Sequence, residues 1–371
     1  MCRVLHMAAV PESGFLLIAD ITGYTSYLAR SEIEHAPTIA GDLLETIIGR
    51  LEPPFRLAKF EGDAAFLWVE DGRAESSLLL DSIEAAYVAF RRRLRSIAQA
   101  TTCDCNACQR APRLDLKFFV HHGQYVRSQI AGRDELAGAS IILVHRLLKG
   151  TTAAAFHAPD GAASGFAVFT ADALRQLRIN PQALELTEGA DDIEHLGRVA
   201  TFTQDLESRW QTEAARRRLD GDGQEPIFDI TVDVPASASV AWSYLTSPAL
   251  RPAWEGLIRI EEEAPEGRRG IGTLTRCVTG VLASLEEIVD WQPFEHAGYR
   301  VTVPDIGPIE ATYELTERAD RSSTTIRHRW SSAGLAVVDG RTRRRLAIDR
   351  QAALERLRLN LSTSPIEEVP L

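Results

Sequence analysis

The segment "FLLIADITGYTSYL", Phe15 to Leu28, constrains this chain more than any other. Its apolar run, Phe15 to Ala19, stops abruptly on Asp20. An unbroken apolar run of that length reads as a strand buried on both faces. A carboxylate at the end of such a strand is costly to desolvate unless something cationic meets it. The surrounding chain must therefore build a two-sided core and, at one end of it, a place for charge.

At 371 residues the chain is long enough for two domains. The clearest break is "QTEAARRRLDGDGQEP", a charged stretch with Gly221, Gly223 and Pro226 that reads as a helix tail running into a linker. The expected organisation is a flexible start at 1–13, a first domain at 14–210, a linker at 211–226, a second domain at 227–361 and a tail at 362–371. A composition 45% hydrophobic and 25% charged is that of an ordinary soluble globular protein. The net charge of -11 argues against non-specific nucleic-acid binding. No stretch supplies the ~18 uninterrupted apolar residues of a membrane span, and Met1 to Pro11 lacks a signal-peptide pattern. Five cysteines in a chain this size do not make a secreted disulfide framework. A cytoplasmic location is expected.

In the first part, Ile39, Leu43, Leu44, Ile47, Ile48 and Leu51 fall on one helical face, and Leu80, Ile83, Tyr87, Phe90 and Leu94 on another. Between them, "FRLAKFEGDAAFLWV" reads as two strands around a tight Glu61-Gly62-Asp63 turn. If that hairpin pairs beside the first strand, Asp20 and Asp63 converge at one end of the sheet. At ~4 Å and an effective dielectric of ~20 two such charges repel by about 4 kcal/mol, so they share a proton or bind a cation. Two carboxylates with open coordination suit Mg²⁺ or Mn²⁺ held together with substrate phosphates. The plainer alternative makes Asp20 a helix cap and Asp63 an ordinary turn residue.

These motifs resemble, in order, those of the class III nucleotidyl (adenylate/guanylate) cyclases. "FLLIADITGYTSYL" is similar to the first catalytic strand and turn of that family, "KFEGDAAF" to its Lys-x-x-Gly-Asp hairpin, and "LKFFVHHGQ" to its strand ending in Gly-Ile-His-x-Gly. "GASIILVHRLLK" falls at its Gly-x-x-Val-Asn-x-Ala-x-Arg helix, and "IEHLGRVATFTQDL" is similar to its closing strands. The resemblance runs from about Phe15 to Trp210. It implies that Asp20 and Asp63 hold two Mg²⁺ or Mn²⁺ ions, that Lys59 and Glu135 read the purine, and that Arg146 meets phosphate charge in the transition state. It implies a nucleoside triphosphate as substrate and a homodimer as the working unit. One position departs: the expected asparagine is Ile142, whose side chain has no hydrogen bond to offer. Losing one preorganised donor costs on the order of 10²- to 10³-fold in rate. The chain is then expected to be a slow cyclase, a non-catalytic regulator of cyclase fold, or a scaffold for a second half that carries a lipid or polyketide, and restoring asparagine at 142 raises output only if the other site residues are in place.

Cys103, Cys105 and Cys108 lie within "CDCNAC". Three thiolates so close suit Zn²⁺ if a fourth ligand comes from His121, His122 or a second chain's cysteine. A redox-sensitive pair and an inert loop are the alternatives.

The second part follows a different pattern. "FDITVDV" alternates, with Phe228, Ile230, Val232 and Val234 on one side and Asp229, Thr231 and Asp233 on the other; "ATYELTE" and "TTIRHRW" do the same. Such alternation marks half-buried antiparallel strands. The strands are framed by an early short helix and the long final one, "TRRRLAIDRQAALERLRLNL". "VDVPASASVAWSYLTSPALRPAW" and "EEIVDWQPFEHAGYRV" resemble the START-like (SRPBCC, polyketide cyclase/dehydrase-type) helix-grip fold over about Pro226 to Leu361. That resemblance implies a cavity between sheet and last helix for a small hydrophobic ligand, with Trp254, Tyr313, His328 and Trp330 as the candidates to face it; plain core packing is the alternative for each. The whole chain is thus expected to be α+β, a ferredoxin-like nucleotide cyclase fold followed by a helix-grip domain.

Overall fold

The computed structural model of the chain describes residues 10–363 except 33, 101–102, 104, 131, 156–164, 183, 216–225, 265–266, 280–281, 304–305 and 333–337. The chain divides into two compact units, Met1–Ala215 and Arg216–Leu371. Most of the expected linker, and most of both expected terminal segments, lie outside the described residues. Among the described residues, no helix is long and apolar enough to cross a membrane.

The first unit begins β1 (Glu12–Thr22), α1 (Tyr24–Ala29), α2 (Ala36–Leu51), β2 (Arg56–Glu61), β3 (Ala64–Glu70), α3 (Ser76–Ala100), α4 (Asn106–Arg110) and β4 (Asp115–Ile130). It continues β5 (Arg133–Ala137), α5 (Ala139–Leu147), α6 (Thr151–Ala155), β6 (Phe166–Thr170), α7 (Ala171–Leu177), β7 (Thr187–Ile193), β8 (Gly197–Asp205) and α8 (Leu206–Ala215). The sheet runs β2-β3-β1-β4-β6-β8-β7, with β5 folded onto β4. The first four strands, with α2 and α3 as crossovers, make the ferredoxin-like β-α-β-β-α-β arrangement. Gly62 takes a left-handed φ of 74° in the two-residue turn between β2 and β3, a conformation glycine adopts without steric cost.

Both faces of this sheet are covered, which explains the apolar run. Phe15, Leu17 and Ala19 point to one side and pack with Leu43 and Ile47 of α2 and Leu80, Ile83 and Phe90 of α3. Leu16 and Ile18 point to the other, joining Phe66, Phe119, Val144 and Leu147, the last two from α5. An antiparallel strand usually alternates because one face is wet; here neither is.

The second unit comprises β9 (Pro226–Val234), α9 (Ala238–Thr246), α10 (Arg251–Glu255), β10 (Arg259–Glu263), β11 (Leu274–Thr279), β12 (Leu282–Gln292), β13 (His296–Val303), β14 (Gly307–Glu317), β15 (Thr324–Ser332) and α11 (Gly340–Thr363). Its antiparallel sheet runs β10-β11-β12-β13-β14-β15-β9, so the first strand closes against the last. The helix α11 buries Ala353, Leu354, Leu357 and Leu361. This is the helix-grip arrangement.

One buried charge in the first unit sets a pH response. Asp115, at the start of β4, is wholly buried; it accepts from the backbone N–H of Leu116 at 2.7 Å, and Arg91 stands 3.6 Å away. Burial outweighs both and pushes its carboxyl up to about 6. The folded state therefore holds a proton that the unfolded chain releases near pH ~3.9. This residue's stabilising contribution is full below that value and is lost as pH rises through about 6. Urea titrations at a series of pH values should show wild type losing ~2–3 kcal/mol relative to Asp115→Asn across that window.

Candidate functional site

At the end of β1, Asp20 lies in register with Lys117 of β4 on one side and Ala64 of β3 on the other. The Nζ of Lys117 sits 2.9 Å from Oδ2 of Asp20, with both side chains largely buried. The cation that the strand end requires is thus supplied by the neighbouring strand. Asp63 joins them from the β2–β3 turn, where its backbone carbonyl accepts from the N–H of Ile21 at 3.1 Å. Burial, and then the negative charge of Asp20, raise the Asp63 carboxyl above the ordinary range, while Lys117 opposes the rise. Asp20 and Lys117 are two residues along from Ile18 and Phe119, so by the pleat they face the α5 side of the sheet.

A second group of ionic side chains lies between the β2–β3 hairpin, β5 and α5. Lys59 Nζ is 3.2 Å from Glu61 and 3.9 Å from Glu135, so the structure brings the two purine-reading candidates together. His145 of α5 donates from Nδ1 to the carbonyl of Ile141 at 2.7 Å and faces Glu61 with Nε2 at 3.0 Å. Its ring meets the edge of Phe66 at 5.0 Å. Ile142, at the expected asparagine position, is 55% exposed. Ile141, Ile142, His145, Arg146 and Lys149 line an open surface concavity of about 370 Å³. Arg146 faces Glu194 at 3.7 Å with both side chains more than half exposed, a pair of little energetic weight.

The cysteine cluster has a different fourth member from either histidine considered above. His121 is buried on Thr170, Nδ1 to Oγ1 at 3.0 Å, and burial pushes its imidazole down to about 4. His122 is held by Asp71 at 2.9 Å. The residue that reaches the thiols is His35, which precedes α2 and lies 3.2 Å from Cys105 Sγ through Nδ1. The Cys105 thiol is lowered to about 7, chiefly by the N–H of Cys108 and then by His35.

In the second unit the four cavity candidates are buried, but the interior they face is charged. Trp254 is fully enclosed, donates its indole N–H to the carbonyl of Tyr244 at 2.7 Å, and serves as packing between α9 and α10. Tyr313 and His328 stack at 3.9 Å, and His328 donates from Nδ1 to the carbonyl of Thr312 at 3.0 Å. Burial drives the His328 imidazole well below its ordinary value, so the ring is neutral. Trp330 carries the guanidinium of Arg350 over its ring at 5.1 Å. Arg350 reaches Glu255 at 3.1 Å, and Arg251 bonds Glu255 at 3.0 Å and Glu286 at 2.9 Å. The aromatic side chains thus lie beside a buried ionic network of Arg251, Glu255, Glu286 and Arg350.

Comparison with known proteins divides along the same lines. Residues 225–361 match the family model described as polyketide cyclase / dehydrase and lipid transport. The second unit is a START-like domain. Residues 40–155 match a model described as a protein of unknown function, DUF2652. An uncharacterized protein of Mycobacterium tuberculosis (strain ATCC 25618 / H37Rv), Rv2561/Rv2562, is 39% identical over 107 residues, which are 29% of this chain and 50% of that protein. Among solved structures, a bacterial light-regulated adenylyl cyclase is 12% identical with a TM-score of 0.40, covering 53% of this chain and 54% of that one. The adenylyl cyclase CyaB from P. aeruginosa is 13% identical with a TM-score of 0.35, covering 52% of this chain and 95% of that one. DynU16, a putative protein in the dynemicin biosynthetic locus, is 22% identical with a TM-score of 0.31, covering 38% of this chain and 49% of that one. The chain spans about half the length of the mycobacterial protein, of the light-regulated cyclase and of DynU16.

Sequence reasoning missed Lys117, although the strand holding it was recognised; only pairing register reveals which residue faces Asp20. It also missed the START-like network, for which Arg251 and Glu255, four apart on one helix, were the available signal. Removing one member of a buried ionic group leaves the others uncompensated. Arg251→Met should therefore lower the stability of the START-like domain by ~3–5 kcal/mol in urea denaturation, and Arg251→Met combined with Glu255→Leu and Glu286→Leu by much less.

Proposed function

We propose that this chain is a ligand-responsive signalling protein whose first unit binds a nucleoside triphosphate on a cyclase-like frame without cyclising it, and whose START-like domain binds a small ligand. The observation that carries the non-catalytic part is the Lys117 ammonium 2.9 Å from Asp20. Asp20 and Asp63 are the pair to which the sequence resemblance assigns two divalent ions. With an ammonium already neutralising Asp20, the local charge does not favour two divalent cations beside it. These residues do not fit a two-metal centre. Ile142, exposed and apolar, supplies no hydrogen bond where that chemistry needs one.

Nucleotide binding is supported by what remains. The Lys59 ammonium and the Glu135 carboxylate, 3.9 Å apart, offer the donor and acceptor that a purine edge requires. Arg146 and Lys149 beside the 370 Å³ concavity offer positive charge for phosphates. In the START-like domain, stacked aromatic rings beside buried charge favour a ligand with a flat or apolar body and a polar group. Exposed Phe60 and Ile142 on the first unit favour self-association as the route by which occupancy is passed on.

A slow cyclase is the second reading, favoured by the approach of Asp63 to Asp20. Incubation of the full chain with ATP or GTP and Mn²⁺, with product analysis by mass spectrometry, separates the two. The expected outcome is bound nucleotide, no 3′,5′-cyclic product from wild type, and none from Ile142→Asn. Lys59→Ala should weaken nucleotide binding by ~10- to 100-fold in equilibrium dialysis, the worth of a hydrogen bond to a charged group. Cyclic product from wild type would overturn the non-catalytic reading, and undetectable nucleotide binding would overturn the nucleotide part.

A further inference from the structure

The first unit contains a group of metal-ligating side chains that the nucleotide reading does not use. His35, Cys103, Cys105 and Cys108 present one nitrogen and three sulfurs that all lie within 4.8 Å of one another. From His35 Nδ1 the three sulfurs stand at 3.2 Å for Cys105, 3.7 Å for Cys103 and 3.8 Å for Cys108. Zinc bonds of ~2.3 Å to sulfur and ~2.0–2.1 Å to nitrogen, at tetrahedral angles, put nitrogen and sulfur ~3.5 Å apart. The observed separations bracket that value. We propose that these four residues form a closed, structural Cys₃His zinc site.

The surroundings are built for it. The turn from Cys105 to Cys108 is pinned from outside by Glu32, which accepts from the Asn106 side chain at 3.0 Å and from the Ala107 backbone N–H at 3.1 Å. The Cys108 N–H donates to Cys105 Sγ at 3.4 Å, the kind of backbone contact that supports a metal-bound thiolate. Tyr27 of α1 is buried at the cluster, within range of the charge of Cys108 and Cys105, and its hydroxyl has no hydrogen-bond partner among the described residues. Four protein ligands leave no open coordination position, so the site holds structure and does not activate water or substrate. Its effect is to tie the residues before α2 to the segment between α3 and β4, which are far apart in sequence. The ligands are drawn from two segments, and only the cysteine half is visible as a motif.

The test uses the full chain purified under reducing conditions, with zinc itself and cobalt as probes. Elemental analysis should find about one zinc per chain. Replacement by Co²⁺ should give the intense visible bands of tetrahedral cobalt and a thiolate-to-cobalt charge-transfer band. His35→Ala and Cys105→Ser should each weaken zinc retention against a chromophoric chelator by at least ~10-fold, whereas His121→Ala and His122→Ala should retain it. Because a lost ligand can unfold the loop, His35→Cys is the companion variant. It should keep tetrahedral cobalt and shift the charge-transfer band towards a four-thiolate spectrum. Zinc well below one per chain with an octahedral cobalt spectrum, zinc retention unchanged in His35→Ala, or a disulfide within the cluster in zinc-replete protein would each overturn the proposal.

Discussion

Strand β1 is bonded along both edges and covered on both faces, and the organisation of the first unit follows from that. A strand so placed cannot shed a charge to solvent along its length. Its two carboxylates sit towards its ends, Glu12 against Arg127 at one and Asp20 at the other, where β4 brings Lys117 alongside. The same β1–β4 pairing that sets Asp20 against Lys117 sets Ile18 against Phe119 and Leu16 against His121. A slip of one residue would turn Lys117 towards α2 and α3, into a core of leucine, isoleucine and phenylalanine. Ion pair and register therefore enforce one another, and Lys117 offsets one of the two carboxylates, Asp20 and Asp63, that meet at this sheet end.

The two units solve the problem of interior charge differently. In the first, the ionic pairs described above sit at strand ends and the hairpin rim, Asp20 with Lys117, Glu61 with His145 and the buried Asp115 with Arg91. In the START-like domain it lies inside, where Arg251 bridges Glu255 and Glu286, and Arg350 closes on Glu255 over the Trp330 ring. Burial of that kind contributes little net stability compared with apolar packing of equal volume. Such a network fixes the geometry of its members more than it adds to stability, because each charge inside depends on the others to be matched.

The sequence exposed what depends on local pattern and hid what depends on register. The two-sided strand, the Gly62-Asp63 turn, the stripe Leu80 to Leu94 and the alternation of Phe228 to Val234 were readable because each is written in consecutive or periodic residues. Asp63 at the hairpin tip and Lys59 and Glu135 in their motifs were also readable as candidates, since hairpin geometry and motif order mark them. Lys117 was not, because nothing local marks which β4 residue opposes Asp20. His35 was not, because a side chain 68 to 73 residues from the cysteines it meets has no spacing signal. In the START-like domain the aromatic residues are conspicuous in sequence, whereas Glu286 and Arg350 look like ordinary surface charges until the strand and helix that carry them turn inward.

The closure of β9 on β15 bears on how the chain matures during synthesis. Phe228 faces Trp330, and Val234 faces Thr324, so the first strand of the START-like domain has no partner until nearly the whole domain has been made. While the intervening strands emerge, β9 presents an unpaired edge whose side chains are apolar on one face. Asp229, Thr231 and Asp233 line its other face, and Asp229 later receives Arg327 at 2.6 Å. In the closed sheet that acidic face latches β9 to β15 through Asp229 with Arg327 and Asp233 with Thr325. Assembly is therefore slow to begin and late to complete, as expected when the decisive contact joins the two ends of a domain.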